Sequence, residues 1–131
     1  MKIGIEFFQE DLLAAIGAGV YEIDVCKNGK TAPLYIGESV FVIVRCASHL
    51  YHLKKEPALF GFDEKTIDDP SITLQFRFLE EESDLQARKR LEKVYINNEE
   101  APLPLSQSGI SDRQKTPEEK IAALNAFLES A

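Results

Sequence analysis

The alternation of apolar and polar positions divides the chain into short elements. Residues 6–16 (Glu6-Phe7-Phe8-Gln9-Glu10-Asp11-Leu12-Leu13-Ala14-Ala15-Ile16) carry apolar side chains at helical spacing and then meet Gly17 and Gly19, which predicts a short amphipathic N-terminal helix. Val20 to Val25 alternates and is rich in β-formers, as a strand does. Lys27-Asn28-Gly29-Lys30 holds an Asn-Gly turn signal before Leu34-Tyr35-Ile36, so the two segments predict a hairpin, with Pro33 tolerated at the start of its second strand. Ser39 to Lys55 reads two ways: valine and isoleucine at 40–44 favour strand, whereas 45–55, with Leu50 and Leu53 three apart, favours helix, and helix is preferred for the whole. Residues 56–71 read as a loop, and Ile72 to Phe78 alternates cleanly as a strand. Ser83-x-x-Gln86 has capping-box form and predicts a helix that buries Leu85, Leu91, Val94 and Tyr95. Residues 101–115 read as irregular chain, followed by Thr116-Pro117-Glu118-Glu119 and a last helix, 117–130, with Ile121, Leu124, Phe127 and Leu128 as its apolar stripe.

These elements predict one α+β domain over residues 1–131, with a small, mainly antiparallel three-stranded sheet (20–26, 33–37 and 72–79) flanked by helices. Composition agrees: 44% hydrophobic and 28% charged residues are the balance of a globular protein. The longest apolar run, Val40 to Val44, is far too short to span a bilayer, and the first six residues lack the layout of a signal peptide. Cys26 and Cys46, without a CxxC or a nearby His pair, read as free thiols and point to the cytoplasm.

Charge complicates the choice of partner. A formal charge of −7 disfavours tight nonspecific binding to nucleic acid, whose affinity comes from neutralised phosphates. The distribution is uneven, however. Acidic residues crowd 63–69 and 80–84, while Arg88, Lys89, Arg90 and Lys93 form a basic segment able to line a local cleft.

Against that background several polar residues fall in a telling order. Gly19-Val20-Tyr21 is followed by Tyr35-Ile36-Gly37; Arg45 stands eight residues beyond Gly37, and His49 four beyond Arg45. Leu91-Glu92-Lys93-Val94-Tyr95-Ile96 then places a glutamate in a late helix. This succession resembles the GIY-YIG nucleases, with valine for the first isoleucine, over about residues 17–106. The resemblance implies a metal-dependent DNA endonuclease with Tyr21, Tyr35, Arg45, His49 and Glu92 as catalytic residues and Tyr21 as the general base. It implies Glu92 as the ligand of Mg²⁺ or Mn²⁺, and DNA, with RNA as the alternative, as the partner. Arg45, His49, Arg88 and Lys89 are then the nucleic-acid contacts of a protein acting alone or as a homo-oligomer.

The chemistry suits those residue types. Phosphodiester hydrolysis needs an activated water and stabilised nonbridging oxygens, a guanidinium offers a planar fork of donors that stays charged, and magnesium is content with one or two carboxylates. The chain departs from the family in two places. The stretch Glu38 to Val44 is apolar where the family runs basic, and Pro102 to Gln107 offers only Ser106 or Gln107 where an asparagine is usual. A catalytically weak or inactive module that binds nucleic acid or a protein is the alternative reading, and an unrelated interaction protein with structural tyrosines is the third.

Overall fold

The computed structural model describes residues 1–99 and 115–131. In chain order the elements are β1 (Gly4–Phe7), α1 (Leu12–Ala15), β2 (Gly19–Lys27), β3 (Lys30–Ser39), α2 (Val42–Lys55), β4 (Ile72–Glu81), α3 (Leu85–Asn97) and α4 (Pro117–Ser130), with single 3₁₀ turns at Pro57–Phe60 and Thr66–Asp68. The fold is α+β, as expected, but the sheet has four strands in the order β1-β4-β2-β3. The expected antiparallel trio is present as β4-β2-β3. The fourth strand corrects the N-terminal expectation: β1 lies parallel to β4, Gly4 against Thr73 through Phe7 against Phe76, and only Leu12–Ala15 of the predicted helix 6–16 is helical.

Local chemistry explains most of the rest. The hairpin turns at Asn28 and Gly29, both with positive φ (53° and 78°), which is the two-residue turn whose twist suits adjoining strands. A bulge at Ile23/Asp24 leaves Leu34 unpaired in β3, so Leu34 and Tyr35 both pack into the main core. Helix α4 starts with a full capping box between Thr116 and Glu119, as the sequence predicted. Helix α3 does not start at Ser83; Asp84 is its N-cap, accepting from the Ala87 N–H at 2.9 Å.

The sheet packs on both faces. On the first, Tyr21, Ile23, Val25, Ile72, Leu74 and Phe76 meet Val42, Cys46 and Leu53 of α2 and Leu124 and Leu128 of α4. Each such buried aliphatic or aromatic side chain contributes about 1.5–3 kcal/mol relative to exposure. Gly61, with φ 88°, lets α4 approach closely: a Cβ there would lie 2.8 Å from the Lys120 carbonyl. On the second face a smaller cluster of Val20, Ile36 and Ile96 holds α3. Here the expected burial is overturned. Leu85 and Val94 are about half exposed, Leu91 and Tyr95 half-buried, and the residues turned fully inward are Arg88, Glu92 and Ile96, four apart on one helix face. No helix of the described residues is long and apolar enough to cross a membrane.

Candidate active site

The hairpin sets the first two residues of the site. Tyr21 pairs with Gly37 and Tyr35 with Ile23, so both phenols stand on the first sheet face, ring centroids 6.1 Å apart. Gly37 is what makes room for them. A Cβ at that position would overlap the hydroxyl end of the Tyr21 ring and come within 2.8 Å of Tyr35. Helix α2 then covers the pair. Its first residue, Val42, donates its N–H to the Gly17 carbonyl (3.1 Å), which fixes the helix start beside β2 and brings Arg45 and His49, one turn apart, over the tyrosines.

His49 Nε2 lies 2.7 Å from the Tyr21 hydroxyl. Its ring also meets Tyr35 edge-on at 5.4 Å and Phe60 at 6.1 Å. Burial, reinforced by the Arg45 and His52 charges, lowers His49 from 6.5 to about 4, so the imidazole is neutral near pH 7. Burial, followed by Tyr35, pushes Tyr21 well above the ordinary range for a phenol, against the opposing pull of Arg45. Both groups are therefore neutral, and a single hydrogen bond joins the Tyr21 hydroxyl to His49 Nε2. Tyr35 is raised by burial and by the Glu92 charge, with Arg45 and the Tyr21 hydroxyl acting the other way. Cys46, buried beneath, is pushed up by desolvation and stays a thiol.

Arg45 is exposed and forms no ion pair with a described residue, while its charge reaches both tyrosines and His49. Glu92 comes from α3, against β3. Its carboxylate accepts the Glu38 backbone N–H, and burial, followed by the Glu38 charge, raises its pKa. The Glu92 charge acts on both tyrosines. Tyr21, Tyr35 and His49 are in contact and the Arg45 charge acts on all three, whereas Glu92 stands on α3 against the other sheet face and reaches the tyrosines only through its charge.

Two of the expected nucleic-acid contacts sit elsewhere. Arg88 is buried, with Nε 2.8 Å from Glu38 Oε2 and a terminal nitrogen donating to the Ser83 carbonyl at 2.8 Å. It serves as the counter-charge of Glu38 and is not offered to a phosphate. Lys89 is half exposed and leans on the same carboxylate at 3.7 Å. Glu38 is the residue that sequence reasoning missed. It follows the Tyr35-Ile36-Gly37 tripeptide directly, but only the three-dimensional placement of α3 reveals that it holds Arg88, Lys89 and, through its backbone, Glu92. Ser106 and Gln107 lie outside the described residues.

Among the described residues no three His, Cys, Asp or Glu side chains gather to hold a metal ion. Glu92 could hold a divalent cation only as a site of one or two carboxylates, a number that magnesium accepts. No family model, curated protein or solved structure matches the chain.

Proposed function

We propose that the chain is a magnesium-dependent endonuclease that hydrolyses phosphodiester bonds in DNA. The observation that supports this reading is an exposed Arg45 guanidinium, with no ion pair among the described residues, and a buried Glu92 carboxylate whose charges both act on the same pair of neutral tyrosines. Arg45 binds the nonbridging oxygens of the scissile phosphate through its planar fork. Glu92 holds Mg²⁺ or Mn²⁺, which supplies charge neutralisation at phosphate and acidifies water.

The division of labour between the tyrosines follows their exposure. Tyr21 is 0% exposed, so the contact with water expected of it passes to Tyr35, which is partly open. Tyr35 accepts the hydrogen bond of the attacking water, while Tyr21 and His49 behind it fix its orientation and polarise it. The neutral His49 is hydrogen-bonded to Tyr21 rather than offered as a cationic phosphate contact.

A catalytically weak module that binds nucleic acid is the second reading, favoured by the enclosure of Tyr21 and by the pairing of Arg88 and Lys89 with Glu38. Incubation of the purified chain with plasmid, linear duplex, single-stranded DNA and RNA, with and without Mg²⁺ or Mn²⁺, separates the two. Metal-dependent cleavage of DNA is the expected result. Binding of duplex by folded protein without cleavage under any condition replaces the nuclease with the binding module, and absence of both rejects the two readings together.

A further inference from the structure

Exposed apolar side chains are not scattered evenly over the molecule. Of eleven large hydrophobic residues exposed among those described, six fall in two short stretches: Leu12 (47%), Leu13 (84%) and Ile16 (50%), and Val40 (55%), Phe41 (56%) and Val44 (63%). The stretches are neighbours. Helix α1 packs against α2, and the Val42 N–H to Gly17 carbonyl bond ties the chain just after Ile16 to the chain just after Phe41. The two exposed apolar stretches therefore lie next to each other in the fold, and Val44 adjoins the exposed Arg45 in sequence.

Size indicates what covers this face. Together the six residues expose the equivalent of about three and a half whole residues, backbone included, on the order of 600 Å². That is the upper end of the largest patch found on ordinary monomers, about 300–600 Å². A standard interface covers about 800 Å² per partner, with an apolar centre of roughly two-thirds. The face is thus large enough for the centre of a two-fold dimer, in which the same patch serves both subunits. Its composition turns away other occupants: six hydrocarbon side chains offer no donors to phosphate, and a net charge of −7 is repelled by anionic bilayers.

We propose that a second copy of the chain docks on the face formed by Leu12, Leu13, Ile16, Val40, Phe41 and Val44, giving a two-fold homodimer. Arg45, next to Val44, borders the interface, so dimerisation places both candidate active sites beside the shared surface. The docking does not depend on the nuclease reading.

Sedimentation equilibrium of the full chain without nucleic acid, from low micromolar to several hundred micromolar, tests the proposal. The expected result is a concentration-dependent shift from 14.7 kDa to twice that mass. Leu13→Glu and Val40→Glu, one in each stretch and both on exposed positions, are each expected to weaken dimerisation by more than about 10-fold. Val94→Glu, equally exposed but on α3, should leave it unchanged. Circular dichroism confirms that each variant is folded. A mass that stays at 14.7 kDa at every concentration overturns the proposal, as does a folded Leu13→Glu/Val40→Glu double variant that dimerises like wild type.

Discussion

Strand β2 presents ionisable side chains to both sides of the sheet, and the two sets are balanced in opposite ways. On the first face Tyr21 meets His49 and Tyr35, all neutral, beneath an Arg45 with no anionic partner among the described residues. On the second face Glu22 and Asp24, two residues apart, share Arg77, whose Nε lies 2.7 Å from Asp24 Oδ2 while a terminal nitrogen holds Glu22. Burial, together with the hydrogen bond and charge of Glu22, raises Asp24 to about 8 despite the guanidinium, so the pair keeps a proton near neutrality. One carboxylate charge then answers one arginine charge, and the cluster is closed on itself. Among the described residues the first face leaves a cation unanswered, and such a cation over buried donors is where an anionic substrate gains most.

The largest effects expected are those that separate the faces by activity. Arg45→Ala and Glu92→Gln should each reduce single-turnover cleavage by about 10²–10³-fold in folded protein, and a higher Mg²⁺ concentration should fail to rescue Arg45→Ala. Arg77→Ala should instead cost stability, about 1–3 kcal/mol after allowance for its half exposure, and leave cleavage within a few-fold of wild type. A folded Arg77→Ala protein with no activity would transfer the chemistry to the second face and break the comparison.

Gly37→Ala comes next. Its methyl group must displace Tyr21 or Tyr35, so urea titration should show a loss of about 1–3 kcal/mol, with cleavage reduced beyond what unfolding explains. Tyr21→Phe keeps the ring and loses only the bond to His49, at about 1 kcal/mol. Wild-type kinetics in Gly37→Ala would show that the tyrosine pair need not be held in place.

The smallest effects are in pH dependence, and here the two faces should slope in opposite directions. Asp24 is raised from 3.8 to about 8, so the native state keeps a proton that the unfolded chain has lost; its contribution is complete below pH 3.8 and drains as pH rises to about 8. His49 is lowered from 6.5 to about 4, so the unfolded chain takes a proton first; its contribution is complete above pH 6.5 and drains as pH falls to about 4. Thermal melts from pH 4 to 9 should show Asp24→Asn flattening the alkaline decline while the acid decline persists. Loss of both slopes in that variant would mean that the two clusters are coupled through β2.

Where local chemistry decided the structure, the sequence was readable. The Asn28-Gly29 turn, the alternation of β4 and the Thr116–Glu119 cap are determined within a few residues, and each is present. The nearness of Tyr21, Tyr35 and His49 was legible because the hairpin and the one-turn spacing on α2 are local features, whereas the placement of Glu92 against the other sheet face was not. Failures occurred where a distant partner decides. Phe7, Phe8, Leu12 and Ile16 fit helical spacing, yet pairing with β4 makes Gly4–Phe7 a strand, and Phe8 leaves it with φ 49° to bury its ring against Phe7 and Phe76. In α3 the apolar positions suggested one buried face, but Glu38 supplies the counter-charge that lets Arg88 turn inward beside Glu92 and Ile96. Neither partner is visible from the segment it overrules.

The parallel pairing of β1 with β4 also sets an order of events during synthesis. Gly4 meets Thr73, so about seventy residues must be made before the first strand has anything to pair with. At about 5–20 residues per second, that is a wait of several seconds, during which Ile5 and Phe7 have no sheet to join. The closing step joins ends far apart along the chain, and such contacts form late. β1 is an edge strand held by four residue pairs to β4 alone, so its amides should exchange with solvent ahead of those in β2, which is paired on both sides.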